Sequence, residues 1–209
     1  AYMQRVAAGV CVDTMASSAA LVFINGEFWG VYNFRERYSP EYVSDHTGAN
    51  KDTVTVIENA NNLYNQNPGV AFVDGSGVAG YADEFNWLLE FADTHDLSVP
   101  ENFAWIESKL DLDSLIDLCA VRVFFNATDW PENNIKLWRD TAPDSADARW
   151  HFVLLDTDWG MGMKQTTGPE MNLLFILLNY SNGTYTKDCP LTRLLHALRA
   201  NRTFDEKLI

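Results

Sequence analysis

NATDWPENNIKLWRDTAPDSADARWHFVLLDTDWGMG, residues Asn126–Gly162, is the stretch that decides the fold expected of this chain of 209 residues. Within it, Asn134–Arg139 and Trp150–Asp156 are rich in the apolar and aromatic residues that strands prefer. The polar segment Asp140–Ala148 between them has the composition of a connecting loop. The pattern therefore predicts a β-hairpin.

Oxygen-bearing side chains lie at the ends of this predicted hairpin. Asp129 and Asn134 flank the start of its first strand, and Asp156 and Asp158 lie where the second strand ends. A hairpin brings its two open ends together, so these side chains should converge. Carboxylate and amide oxygens suit Mg²⁺ or Mn²⁺ better than a soft metal ion. The sequence therefore predicts a site for one of these ions at the open end.

The spacing of these residues matches the phosphoryl-transfer site of protein kinases. There, an Asp positions the acceptor hydroxyl, an Asn five residues later holds a metal ion, and a second Asp beyond a hairpin joins the metal to the phosphates. Asp129 and Asn134 have this offset, and Asp158-Trp159-Gly160 resembles the metal-binding Asp-Phe-Gly turn. Two other interpretations stay open, namely turn residues without a chemical role and the Asp-x-Asp metal site of a glycosyltransferase.

The N-terminal part of the chain is rich in strand signals. Ala20–Asn25 and Phe28–Phe34 flank an Asn-Gly pair, which predicts a second β-hairpin with a tight turn. Val54–Ile57 predicts a further short strand. Asn59–Gly80 is rich in Asn and Gly, which predicts a long loop.

Helical signals dominate after residue 80. Apolar residues recur at helical spacing or follow a Pro that can begin a helix, and they predict helices at Ala82–His95, Pro100–Leu110, Asp113–Phe125, Met171–Leu178 and from Pro190 onward. Gly160, Gly162 and Gly168-Pro169 predict irregular backbone. We therefore expect an α+β fold in one domain. Its strand-rich part would span residues 1–80 and its helical part residues 81–209, with the hairpin of residues 126–162 inserted into the latter.

The composition narrows the classes of partner. A formal net charge of −14 argues against unassisted binding to nucleic acid or to an anionic membrane, and it is compatible with a divalent cation or a basic protein. No apolar run is long enough to span a membrane. Cys11, Cys119 and Cys189 are too widely spaced for a disulfide framework or a zinc site, and Cys119 is expected in the core. The first residues have the character of mid-domain sequence, so we expect a fragment of a longer protein.

A resemblance to a known family extends over nearly the whole chain. Phe23–Glu36, FINGEFWGVYNFRE, is similar to the hallmark segment of the CotH (spore coat protein H) kinase family, in which an apolar strand precedes Asn-Gly, an aromatic residue, Gly-x-Tyr and a Glu. Asn134–Trp138 resembles the family's Asn with its aromatic-rich strand. Trp150–Gly162 resembles its strand ending in Asp-x-Asp, aromatic, Gly, and Pro190–Ile209 resembles its closing helices.

This resemblance implies an abbreviated, atypical protein-kinase-like fold, with ATP and Mg²⁺ or Mn²⁺ as cofactors and Ser or Thr of a protein as acceptor. It implies that Asp129 is the catalytic-loop acid and that Asn134 and Asp156 hold the metal ion and the nucleotide, with Asp158 as a neighbouring ligand. The family's strand end favours Asp156 as the principal ligand, whereas the Asp-Phe-Gly analogy favours Asp158. Members are secreted-type kinases first known from bacterial spore coats, so an extracellular, cell-surface or spore-coat location is implied. The acidic charge of this chain favours a basic, Ser-rich acceptor protein.

The chain departs from the family and from ordinary kinases, mainly in the residues expected to bind the nucleotide. Neither a glycine-rich phosphate loop nor a lysine of the Val-Ala-Ile-Lys kind is visible. We therefore expect Arg35 or Arg37 to contact the phosphates and Glu36 to orient that cation, with solvated strand-edge charges as the alternative. Leu154-Leu155 precedes the first Asp of the pair, and Asn133 replaces a frequent His. These departures keep open a non-catalytic kinase-like scaffold or adhesion protein of a surface or coat.

Overall fold

The computed structural model describes residues 2–60, 71–163, 171–179 and 189–209, so Gly168-Pro169 lies outside the described part. The strands are β1 (Ser17–Ile24), β2 (Glu27–Arg35), β3 (Val54–Asn59), β4 (Phe72–Gly77), β5 (Lys136–Asp140) and β6 (His151–Phe152). The helices are α1 (Tyr2–Ala7), α2 (Pro40–Thr47), α3 (Ala82–Thr94), α4 (Pro100–Glu107), α5 (Leu112–Phe125), α6 (Leu173–Leu178), α7 (Pro190–Leu198) and α8 (Arg202–Leu208). The fold is α+β, as expected. None of the helices described has both the length and the apolar character needed to cross a bilayer.

The N-terminal hairpin is formed by β1 and β2, paired antiparallel. Asn25 and Gly26 at its turn have φ angles of 53° and 86°, the left-handed conformation that a two-residue hairpin turn requires. The prediction of this hairpin and its turn is confirmed. Its large apolar side chains are mostly exposed, among them Phe28, Trp29 and Phe34. The hairpin therefore lies outside the hydrophobic core.

A four-stranded antiparallel sheet of order β4-β3-β5-β6 carries the rest of the strands. The prediction of a loop over Asn59–Gly80 is wrong at residues 72–77, which form β4 and pair with β3, while residues 61–70 lie outside the described part. The glycines of this segment are typical of a loop, yet the pairing of β4 with β3 requires them. A Cβ added at Gly77 would lie 2.1 Å from the carbonyl oxygen of Val54. Pairing with β3 here overrides a weak local preference.

The predicted hairpin of residues 126–162 is present as β5 and β6, paired antiparallel. Its second strand is shorter than expected, because regular pairing ends at Phe152. The next residues bond to the N-terminal segment instead, and the Leu154 N–H donates to the Asp13 carbonyl at 2.9 Å. The prediction that Asp156 ends the second strand is therefore wrong. Asp156 lies in irregular chain beyond β6.

Two hydrophobic clusters hold this sheet from both sides. The larger one joins the long helices to one face, with Phe85 and Trp150 among its members, and it includes Cys119 as predicted. The smaller one packs α2 on the other face through Tyr42 and Val56. The predicted helices are present with small differences at their ends. The open end of the β5–β6 hairpin thus rests on a packed core.

Candidate functional site

Asp129 lies in the turn that connects α5 to β5. Helix α5 is capped by Asn126, whose left-handed φ of 52° lets its N–H donate to the carbonyls of Arg122 and Val123. Trp130 then turns inward and is fully buried, which anchors the turn in the core. Asp129, next to this anchor, stays partly exposed.

Asn134 is joined to Asp129 by a short hydrogen bond, with Asn134 Nδ2 lying 2.5 Å from Asp129 Oδ2. An ionised carboxylate only accepts hydrogen bonds, so the nitrogen of the Asn134 amide is the atom that faces Asp129. The amide oxygen of Asn134 is then the atom that can meet a cation. The offset of five residues in the sequence thus becomes a direct contact in the structure.

Asp156 and Asp158 follow β6, and both are exposed. Asp156 has a left-handed φ of 26°, and its Oδ1 accepts from the Asp158 N–H at 3.4 Å. The pKa of Asp158 is raised from its ordinary value, first by desolvation, then by a hydrogen bond between its carboxyl group and that of Asp156, and further by the negative charges of Asp156 and Asp129. Carboxylates that repel one another in this way gain from a bound cation.

Asp129, Asn134, Asp156 and Asp158 line one cavity of about 380 Å³, which we call the acidic cavity. Its other lining residues are Glu58, Asn59, Asn133, Leu155 and Trp159. The structure therefore brings together the site residues that the sequence placed around the hairpin.

The donor atoms of the acidic cavity are carboxylate and amide oxygens, which fit Mg²⁺ or Mn²⁺. In the described ranges, no three His, Cys, Asp or Glu side chains form a metal site by themselves. Mg²⁺ is usually held by one or two carboxylates together with substrate phosphates rather than by a cage of protein ligands alone. The residues thus fit a divalent ion that arrives with a nucleotide.

A second cavity, of about 430 Å³, adjoins the acidic cavity, and Asn134 and Asp156 line both. We call it the basic cavity because Arg35, Arg37 and Lys136 line it. An acidic and a basic cavity side by side form the charge pattern that suits a cation next to phosphate groups.

Glu36 also lines the basic cavity, but its carboxylate is engaged elsewhere. It accepts from the Ala16 N–H at 2.7 Å, and it lies 3.0 Å from His46 Nε2. Desolvation acts to raise the pKa of Glu36, yet the bonds to Ala16 and His46 outweigh it and lower that pKa. The expected role of Glu36 in orienting Arg35 or Arg37 stays a prediction.

Lys136 is a candidate that no sequence motif marks. Its Nζ lies 2.9 Å from Glu58 Oε2, and its side chain is only 14% exposed, against 45% for Glu58. The two residues face each other across β3 and β5, with Glu58 lining the acidic cavity and Lys136 the basic one. Their contact depends on the register between two strands that are far apart in sequence, so local sequence could not show it.

Comparison with known families identifies one family for this chain. The family model described as CotH kinase protein matches residues 2–208. No curated protein matches the chain. The chain belongs to the CotH kinase family, which confirms the resemblance drawn from its motifs and makes it a kinase-like protein.

Proposed function

We propose that this member of the CotH kinase family transfers the γ-phosphoryl group of ATP to a Ser or Thr hydroxyl of a protein, with Mg²⁺ or Mn²⁺ as cofactor. One observation carries the proposal. The hydrogen-bonded pair Asp129–Asn134 shares an acidic cavity with Asp156, and that cavity adjoins a basic one. Protein kinases place the same residue types around the transferred phosphoryl group.

Asp129 orients the acceptor hydroxyl and takes its proton. The acceptor oxygen bonds to the γ-phosphorus as the bond from that phosphorus to the bridging oxygen breaks, and ADP leaves with the electron pair of that bond. Asn134 holds Asp129 in place through the 2.5 Å hydrogen bond. Asn134 and Asp156 would hold the divalent ion, with Asp158 beside them. A divalent ion bound there neutralises charge on the phosphate oxygens.

The basic cavity receives the phosphates of the nucleotide. Arg35, Arg37 and Lys136 supply the positive charge there, and the ion pair with Glu58 keeps the Lys136 ammonium at the wall between the cavities. Ordinary kinases use a Lys–Glu ion pair for the same purpose. Lys136 thereby offers the lysine that no sequence motif supplied.

The acceptor that fits this site is a basic, Ser-rich protein. The chain has a net charge of −14, and opposite charges speed the encounter of two proteins. An acidic acceptor would be repelled by the carboxylates around Asp129.

The direct test is incubation with γ-labelled ATP and Mn²⁺ or Mg²⁺, with and without a basic, Ser-rich protein. We expect label on the acceptor or on the chain itself, on Ser or Thr, and none when EDTA is present. Absence of transfer to any acceptor under conditions where ATP binds would contradict the proposal. If the protein instead bound UDP-sugars more tightly than ATP, that would favour the glycosyltransferase interpretation of Asp156 and Asp158.

A non-catalytic scaffold is the second candidate, and the N-terminal hairpin favours it. Large apolar side chains of β1 and β2 are exposed, namely Leu21, Phe23, Ile24, Phe28, Trp29, Val31, Tyr32 and Phe34. Exposed apolar patches often mark protein contacts. A scaffold would show metal-dependent ATP binding without transfer, which the same labelling experiment distinguishes from a kinase.

A further inference from the structure

Arg122, on the last turn of α5, is fully buried. A buried guanidinium is costly unless acceptors surround it. In Arg122 those acceptors are backbone carbonyls. Its Nη1 donates to the Asp156 carbonyl at 2.5 Å, and its Nη2 donates to the Asn134 carbonyl at 3.2 Å and to the Leu155 carbonyl. One side chain therefore joins the two segments that carry the candidate metal ligands.

Two of these carbonyls belong to residues with unusual backbone. Asn134 has φ of 58° and Asp156 has φ of 26°, in the left-handed region that residues with a Cβ seldom adopt. Such conformations persist where the surrounding structure holds them. The planar fork of an arginine can bond several acceptors in fixed directions, so Arg122 is placed to hold both.

Arg122 also supplies charge behind the acidic cavity. Burial lowers its pKa to about 10, while the negative charges of Asp129 and Asp156 oppose that shift. The guanidinium is therefore ionised at neutral pH. Its positive charge offsets part of the repulsion between carboxylates before any cation binds.

We propose that Arg122 is a positioning residue of this site, which holds the backbone of Asn134 and Asp156 so that both side chains face the acidic cavity. It touches neither substrate nor metal ion. The proposal rests on the proposed function for its purpose, but the positioning itself is a property of the protein without ligands. A purely structural arginine would satisfy the same carbonyls without any effect on the direction of the Asn134 and Asp156 side chains.

The test compares Arg122→Lys and Arg122→Gln with Arg139→Lys. Arg139 is a matched control because its side chain is only 13% exposed and bonds Glu84 at 2.8 Å, and it does not line either cavity. Lysine keeps the charge at position 122 but loses the planar fork. Arg122→Gln is a second variant for measurement if Arg122→Lys does not fold. The melting temperature of each variant gives its structural cost.

The first readout needs neither metal nor turnover. The side-chain amide resonance of Asn134 reports its bond to Asp129, and we expect it to shift in Arg122→Lys but not in Arg139→Lys. The second readout is Mn²⁺ binding in the presence of ADP. We expect the Kd of Arg122→Lys for Mn²⁺ to be at least tenfold higher than that of the parent. Its melting temperature should fall by no more than that of the control Arg139→Lys.

An Asn134 resonance at the parental position, together with parental Mn²⁺ affinity, in a folded Arg122 variant would overturn the inference. Equal effects in the Arg122 and Arg139 variants would overturn it as well, since they would show a general loss of packing. A parent protein that binds no Mn²⁺ with nucleotide would contradict the proposed function instead. The positioning role of Arg122 would then be decided by the Asn134 resonance alone.

Discussion

Replacement of Asp129 by asparagine separates chemistry from folding at this site. The new side-chain amide would still accept the hydrogen bond from Asn134, now as a neutral one. Hydrogen bonds to charged groups contribute about 1.5–3 kcal/mol and neutral ones about 0.5–1.5, so the free energy of unfolding should fall by about 1 kcal/mol. Loss of a positioned acid–base group lowers a rate by about 10²–10⁴, which is about 3–5 kcal/mol of barrier. Turnover should therefore fall far more than stability.

The assay follows the initial rate of transfer from labelled ATP, with ATP affinity and urea unfolding measured on the same preparations. Asp140→Asn is the matched control. Asp140 lies at the other end of β5 and accepts from Thr53 Oγ1 at 2.6 Å, so its loss should cost similar stability and leave transfer intact. Affinity for ATP with Mn²⁺ should change less than tenfold in Asp129→Asn, because Asp129 acts on the acceptor. Parental turnover in Asp129→Asn, or a loss of ATP binding as large as the loss of turnover, would refute this role.

Three further variants and one control variant test the rest of the site and the fold. Asp156→Asn should abolish metal-dependent ATP binding and leave the melting temperature within a few degrees of the parent's; normal binding in an ATP titration with Mn²⁺ would remove it as the ligand. Lys136→Met should raise the KM for ATP about tenfold, equivalent to about 1.4 kcal/mol, and cost less than about 1 kcal/mol of stability, whereas Lys207→Met should change neither. Desolvation acts to raise the pKa of Asp111, but the hydrogen bond and charge of His151, with other partners, outweigh it and lower that pKa. Asp111→Asn should therefore destabilise the protein at pH 7. The difference in melting temperature should begin to shrink as the pH falls below about 4, the ordinary pKa of Asp, and should vanish below the lowered pKa of the folded state.

The fold could be predicted where one local signal determined each element. The Asn25-Gly26 turn and the helical periodicity of Ala82–His95 depend on neighbours in sequence, and both elements are present. Local sequence does not predict β4, because its glycines are required by the close approach of β3, which is a tertiary cause. The division into a strand-rich part up to residue 80 and a helical part after it stays a prediction.

The candidate site divides in the same way. Convergence of Asp129, Asn134 and Asp156 followed from hairpin geometry alone, and the three line one cavity. The contact of Lys136 with Glu58 depends on strand register. The bonds of Arg122 to backbone carbonyls depend on its burial. No sequence motif marks either residue. The sequence predicts too long a second strand, because Leu154 bonds to the N-terminal segment, and no alternation of side chains along the strand reveals that bond.

The charges at the two cavities explain why a divalent ion should be needed for nucleotide binding as well as for chemistry. Each carboxylate of the acidic cavity repels the negative charge of ATP, by an amount that solvent screening reduces. Asp156 and Asp158 therefore oppose the binding of phosphates, whereas the arginines and Lys136 of the basic cavity favour it. A divalent cation held with Asp156 shifts that balance, and ion and nucleotide must then raise each other's affinity by the same factor. This coupling depends on the ligands and not on the acid–base residue, so a scaffold without turnover would keep it. Metal-dependent ATP binding alone thus cannot distinguish kinase from scaffold, and the distinction falls to transfer by the parent and its loss in Asp129→Asn.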